Sequence, residues 1–207
     1  GVAGAAGAAG AAQPGVVVLT YATKSTAMLC DSLKVALLHG VTLTLLGFGD
    51  EYRGNYQKLM GARTHLATLH PRTLVLFADA YDVLYAADGA ALRRRMFVDR
   101  PDAFALDYNS TLFQSLQGDG VGAPVAVHPA TFRAVRNSVT GSSPLVLHFN
   151  GGSKPKFNAF RDHLLKRGGS GRCLPADVAI SSEKGPLPLE RVCPGWTQKS
   201  PRLVCKS

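Results

Sequence analysis

Apolar positions along this 207-residue chain follow two alternating rhythms. Continuous runs rich in β-branched residues, as in strands buried on both faces, alternate with stretches whose apolar positions recur every three or four residues, as in helices. "GVVVLTYATKST" opens with such a run, and "STAMLCDSLKVALLHG" follows with Met28, Leu29, Leu33, Ala36 and Leu37 on one helical face, Ser25 or Thr26 as cap and Gly40 as stop. "VTLTLLGFG" alternates and predicts a second strand; "NYQKLMGARTHLATLHP" has helical spacing at Leu59, Ala62, Leu66 and Leu69; "TLVLFADAYD" predicts a third strand. Strand, helix, strand, helix, strand with short connections predicts an α/β fold, a mostly parallel sheet flanked by helices with right-handed crossovers. In such sheets ligands bind at the carboxyl ends of the strands. Those ends are Thr20 to Lys24, Gly47 to Arg53 and Asp79 to Asp82, three polar clusters expected on one rim.

Further on, "DGAALRRRMF" predicts a short helix capped by Asp88, with Arg93, Arg94 and Arg95 on a solvated face. "FALDYNSTLFQSLQGDGVGAPVAVHP" holds one or two short strands around a Gly-rich loop, and "PLVLHFNGGSKPKFNAFRDHLLKRGG" predicts a strand, a glycine turn and a helix begun by Pro155 and ended by Gly168. Residues 1–15 form a Gly/Ala repeat without packing side chains, which reads as a linker remnant whose upstream signal or anchor has been removed. From residue 169 onward Pro, Gly and Ser dominate and periodicity is lost, predicting an extended, irregular tail. The expected organisation is therefore a linker at 1–15, an α/β domain at 16–168 and a basic tail at 169–207.

Charge changes this picture little. The formal net charge is +9, but eleven Lys and Arg against four Asp and Glu lie from Gly151 to the end, so most of the excess belongs to a solvated tail. The aromatics are not interleaved with basic residues as a base-stacking surface requires, which sets nucleic acid aside. No apolar run reaches the roughly 18 residues of a membrane span; membrane association is expected only through a segment outside this chain. Among the four cysteines, Cys30 falls in a predicted helix and reads as a core thiol. Cys173, Cys193 and Cys205 lie in the tail at spacings unlike a zinc site, and two of them can form a disulfide in an oxidising compartment. The triplet "NST" at Asn109 is a glycosylation acceptor pattern pointing the same way.

The candidate chemistry lies on the rim. Asp79 and Asp82, three residues apart on a turn after a strand, can both reach one hard divalent cation that also takes oxygens from a diphosphate; an acidic strand end is the alternative reading. "LVLHFNGGSK" ends another strand with His148, a third potential ligand, followed by a glycine turn whose amides can face phosphate and by Lys154 as a point charge.

The motifs "TYATKST", "GFGDEYRG", "QKLM", "FADAYDVLYA", "LDYNSTLFQSLQG" and "LHFNGGSK" stand in this order over about residues 16 to 155. In this they resemble the glycosyltransferase domain of the procollagen-lysine glycosyltransferases, the multifunctional lysyl hydroxylases. The resemblance implies a GT-A-like, Rossmann-like fold binding a UDP-sugar through Mn²⁺, with hexose transfer to a hydroxylysine-like protein acceptor or glycan in the lumen of the endoplasmic reticulum or Golgi. It makes Asp79, Asp82 and His148 the metal ligands and sets Tyr81 against the uracil. It places Thr23 at the nucleotide pocket, Lys58 and Lys154 at nucleotide or diphosphate oxygens, and Asn150 and Gly151 in the glycine turn. Tyr52 stands where the family pattern has Trp. No catalytic residue is implied, because the chain passes from Arg95 to Asp107 in about a dozen residues where the family carries further strands, an "NSGG" turn and an acidic acceptor-side cluster. The shortened domain is read either as a transferase or as an inactive remnant that binds nucleotide or serves as a structural or interaction module.

Overall fold

The computed structural model describes residues 16–94, 113–115, 125–126, 136–137, 144–149, 151–168 and 172–205. The Gly/Ala linker, Arg95, the triplet at Asn109 and Asn150 lie outside them. In chain order the elements are β1 (Val16–Tyr21), α1 (Ala27–Leu38), β2 (Leu43–Leu46), α2 (Asn55–Leu66), β3 (Leu74–Asp79), β4 (Val83–Tyr85) and α3 (Gly89–Arg94), then β5 (Phe113–Ser115), β6 (Val125–Ala126), β7 (Arg136–Asn137) and β8 (Val146–His148). A 3-10 turn (Gly151–Lys156), α4 (Phe157–Gly168), β9 (Ala179–Ser182), β10 (Leu187–Pro188), α5 (Leu189–Val192) and α6 (Trp196–Lys199) complete it.

The fold is α/β with a mostly parallel sheet flanked by helices. Among the described residues the main sheet runs β10-β9-β2-β1-β3, and a second one runs β4-β8-β5. β1 lies parallel to both β2 and β3, with Tyr21 level with Leu46 on one side and Asp79 on the other, so the carboxyl ends of the three strands do form one rim.

Successive residues of β1 feed opposite faces of the sheet. Val18 packs with Leu29, Leu33 and Ala36 of α1, whereas Leu19 and Tyr21 pack with Leu46 and Ala62 on the α2 side. Helix α1 begins where Thr26, in extended conformation, accepts a hydrogen bond from Leu29 N–H at 3.1 Å, a standard N-cap. Gly40 adopts a left-handed φ of +69° just past its end, as its reading as a stop requires. A third cluster joins Val35 to Leu84, Leu147, Phe149, Phe157, Phe160 and Leu164, seating α4 against α1 and the second sheet.

All four residues of β2 are buried, because both faces of the sheet are covered. Three expectations need correction. Only Ala62 of α2 is buried, and Leu59 and Leu66 of the predicted apolar face are exposed, as are Tyr56 and Met60. The largest departure is the C-terminal segment. Instead of an irregular tail, β9 adds in parallel to β2, and Ile180, Leu187, Leu189, Val192 and Trp196 join the main core. Cys30 is not a thiol: it is bonded to Cys193, and Cys173 to Cys205. The elements here have four residues or fewer, too short for periodicity to register; cross-links and a few deeply buried anchors order them instead.

Charge secures the same junction. Asp31 of α1 accepts from Arg161 of α4 at 2.7 Å and pairs with Lys34 at 2.8 Å, while Lys34 Nζ also donates to Ser200 Oγ at 3.2 Å. The buried ammonium of Lys34 is thus compensated on both sides, which its removal from water demands.

Candidate functional site

Two strand ends and one turn bring the candidate ligands together. Asp79 closes β3, and Asp82 immediately precedes β4. β8 runs antiparallel to β4 with His148 opposite Val83, and Phe149 N–H donates to the Asp82 carbonyl at 2.7 Å, a backbone bond that fixes Asp82 alongside His148. As a result Asp79, Asp82 and His148 each offer a ligand atom, all within 4.8 Å of one another. A divalent cation about 2.1 to 2.5 Å from each ligand sets adjacent ligands roughly 3.0 to 3.5 Å apart. His148 Nε2 lies 3.2 Å from Asp82 Oδ1.

The donor set fits such an ion. Asp82 Oδ1 is buried and faces the His148 imidazole nitrogen at 3.2 Å, a contact outside good hydrogen-bond alignment. A buried carboxylate oxygen needs a positive or donor partner, and a cation shared with His148 would supply one. Two carboxylates and an imidazole suit hard to borderline divalent ions such as Mg²⁺, Mn²⁺ or Zn²⁺.

Two lysines face the two carboxylates. Asp79 Oδ1 accepts from Lys58 Nζ at 2.9 Å and from Ala80 N–H at 3.1 Å, and Lys154 Nζ stands 3.5 Å from Asp82 Oδ2. Burial pushes the Asp82 carboxyl up, but the His148 imidazole and the Lys154 ammonium outweigh it and hold the group below its ordinary value. Burial likewise pulls Lys58 down, and the Asp79 carboxylate more than offsets it, holding the ammonium above the usual lysine value. Each carboxylate therefore carries a lysine partner whose place a cation would take.

The remaining predicted residues lie on the segments that follow β1, β2, β3 and β8. The Thr23 carbonyl accepts from Gly49 N–H at 3.0 Å, fastening the loop after β2 to the end of β1. Tyr52, on that loop, is half exposed and donates its hydroxyl proton to Asn55 Oδ1 at 2.6 Å. Tyr81 is half-buried, packed against the main core. Gly151 opens the 3-10 turn that carries Lys154, and Asn150 falls outside the described residues.

Sequence reasoning missed two residues that hold the rim. Glu183 Oε1 accepts from Gly47 N–H at 2.9 Å, and Lys184 Nζ reaches Asp50 Oδ1 at 2.7 Å and the Phe48 carbonyl at 3.4 Å. Their partners are more than 130 positions away in sequence, and no local pattern signals such a contact.

No family model matches the chain. Over 94 residues it is 29% identical to the multifunctional procollagen lysine hydroxylase and glycosyltransferase of Caenorhabditis elegans, an alignment that covers 41% of this chain and 13% of that protein. The chain thus spans a small part of its relative's length, and the similarity marks a distant relationship.

Proposed function

We propose that this chain is a glycosyltransferase-type domain that binds a UDP-sugar with Mn²⁺ held by Asp79, Asp82 and His148, and passes a hexose to a hydroxylysine-like protein acceptor or a glycan. The observation that carries the reading is the convergence of those three side chains at a strand-end rim, the position at which parallel α/β sheets bind nucleotides. A divalent ion there supplies positive charge against the diphosphate leaving group. The chain's own part is binding and orientation. In this reading Lys58 and Lys154 would leave the carboxylates for diphosphate oxygens, the amides of the turn from Gly151 would receive the same anion, and Thr23, Tyr52 and Tyr81 would line the nucleoside. Two disulfides support a place in the oxidising lumen of the secretory pathway.

A second reading, a remnant that binds nucleotide without transfer, is favoured by the passage from Arg95 to Asp107 in about a dozen residues, which leaves no room for an acceptor-side segment. Incubation with UDP-glucose or UDP-galactose and Mn²⁺ decides between the two. Release of UDP together with labelled hexose on a hydroxylysine peptide supports the transferase, whereas binding without turnover supports the remnant.

A further inference from the structure

The rim loop after β2 is held from a part of the chain remote in sequence. β9 and β10 form a two-residue hairpin in which Ser182 and Gly185 exchange both backbone hydrogen bonds at 3.1 Å, leaving Glu183 and Lys184 at its tip. β9 lies parallel to β2 with Leu45 level with Ser182, so the tip arrives where β2 ends. Gly47 takes a left-handed φ of +73°, and a Cβ there would stand 2.4 Å from the buried ring of Tyr21, so this first loop residue has one tolerated path. Its N–H is the group that Glu183 receives, at 2.9 Å. Two residues later Gly49 N–H binds the Thr23 carbonyl, and Asp50 is gripped by Lys184 at 2.7 Å. The loop is therefore pinned at its start by Glu183, in the middle by Thr23 and at its far side by Lys184, which holds Asp50 two residues before Tyr52.

We infer that Glu183 and Lys184 are positioning residues that hold the β2 loop, with Thr23 and Tyr52, in the shape that receives the nucleoside, while leaving the metal ligands untouched. This rests on the proposed function for the identity of the ligand. The separation of roles follows from the topology: Asp79, Asp82 and His148 are set by β3, β4 and β8, none of which pairs with β9. Glu183 carries more of the load, because it is a charged acceptor for the Gly47 backbone N–H at 2.9 Å, whereas Lys184 and Asp50 are both well exposed and their pair is weakened by solvent.

The test uses the whole, oxidised chain and three variants, Glu183→Ala, Glu183→Gln and Lys184→Met. Calorimetry first titrates Mn²⁺ alone, then UDP at saturating Mn²⁺, and amide hydrogen exchange is followed at residues 47–52. Mn²⁺ affinity is expected to stay within about twofold in all variants. UDP binding should weaken about five- to tenfold in Glu183→Ala, a coupling of ordinary size, with faster exchange at Gly47. Glu183→Gln should recover most of it, since the amide oxygen still accepts from Gly47, and Lys184→Met should show a smaller loss of the same kind. Equal UDP affinity in Glu183→Ala and the parent overturns the inference, as does a parallel loss of Mn²⁺ and UDP. Should the parent take up Mn²⁺ but no UDP, the failure lies with the proposed function; unchanged exchange at 47–52 in Glu183→Ala then still overturns the loop-holding role.

Discussion

Replacing Cys173 and Cys205 together by alanine tests whether the C-terminal segment is an integral part of the fold. The cross-link closes a loop with a sequence separation of 32, and the chain-entropy relation gives about 3.7 kcal/mol of stabilisation at 25 °C for a loop of that size. The second bridge barely alters this figure, because the route through Cys30 and Cys193 is far longer than the direct path. Cys173 is exposed and Cys205 only partly buried, so the substitutions open no cavity and the entropic effect is read cleanly. In a chain of this size each kcal/mol moves the midpoint by roughly 2 to 4 °C, so Tm should fall by roughly 7 to 15 °C. Differential scanning calorimetry without reductant measures the shift, and amide exchange at residues 179–182 should quicken as β9 loosens from β2. A change in Tm below about 2 °C, with β9 still protected, would refute the reasoning, because the segment would then be held by packing alone.

Lys58→Met removes the ammonium that occupies Asp79, so Mn²⁺ alone should bind about fivefold more tightly, the equivalent of a partly exposed ion pair worth about 1 kcal/mol, while UDP binding at saturating Mn²⁺ weakens; calorimetry reads both. Gly47→Ala combines a left-handed backbone with a Cβ driven into the Tyr21 ring and should cost roughly 2 to 4 kcal/mol in denaturant unfolding. Tyr21 and Tyr85 are both raised above the ordinary tyrosine value, first of all by burial. Because the folded state binds those protons more tightly, their contribution to stability is intact below about pH 10 and is lost as pH rises through the folded values. Absorbance of tyrosinate should therefore lag for these two and appear with unfolding, an effect that Tyr85→Phe reduces. Among the described residues the buried Tyr21 hydroxyl has no hydrogen-bond partner, so Tyr21→Phe should leave the protein at least as stable, by up to about 1 kcal/mol.

The first half of the fold was legible because its elements are long enough for their period to register. The β-branched run at Val16, the cap at Thr26 and the stop at Gly40 each agree with the strand and helix they bound. The ligands of the candidate centre were legible for a related reason: in parallel sheets, polar residues that follow buried runs lie at one edge, and the motif order brought His148 to the same edge. What could not be read depends on contacts without a local signature. Leu59 and Leu66 carry helical spacing yet face solvent, since periodicity reports that a helix has an apolar stripe and not what covers it. Cys30 gave no sign of a partner 163 positions away. Glu183 and Lys184 resemble ordinary turn residues until β9 is seen beside β2.

The proposed function requires that Asp79, Asp82 and His148 hold a cation that serves a uridine nucleotide. The most direct measurement is calorimetric titration of UDP into the oxidised chain with and without Mn²⁺, repeated on Asp82→Asn, whose fold is checked by its melting curve. Saturable UDP binding that requires Mn²⁺ in the parent is predicted, with Mn²⁺ affinity in the variant reduced by roughly 100-fold or more, above the loss usual for a residue that only supports a ligand. UDP binding that is indifferent to Mn²⁺, or a variant that holds Mn²⁺ as tightly as the parent, would contradict the account.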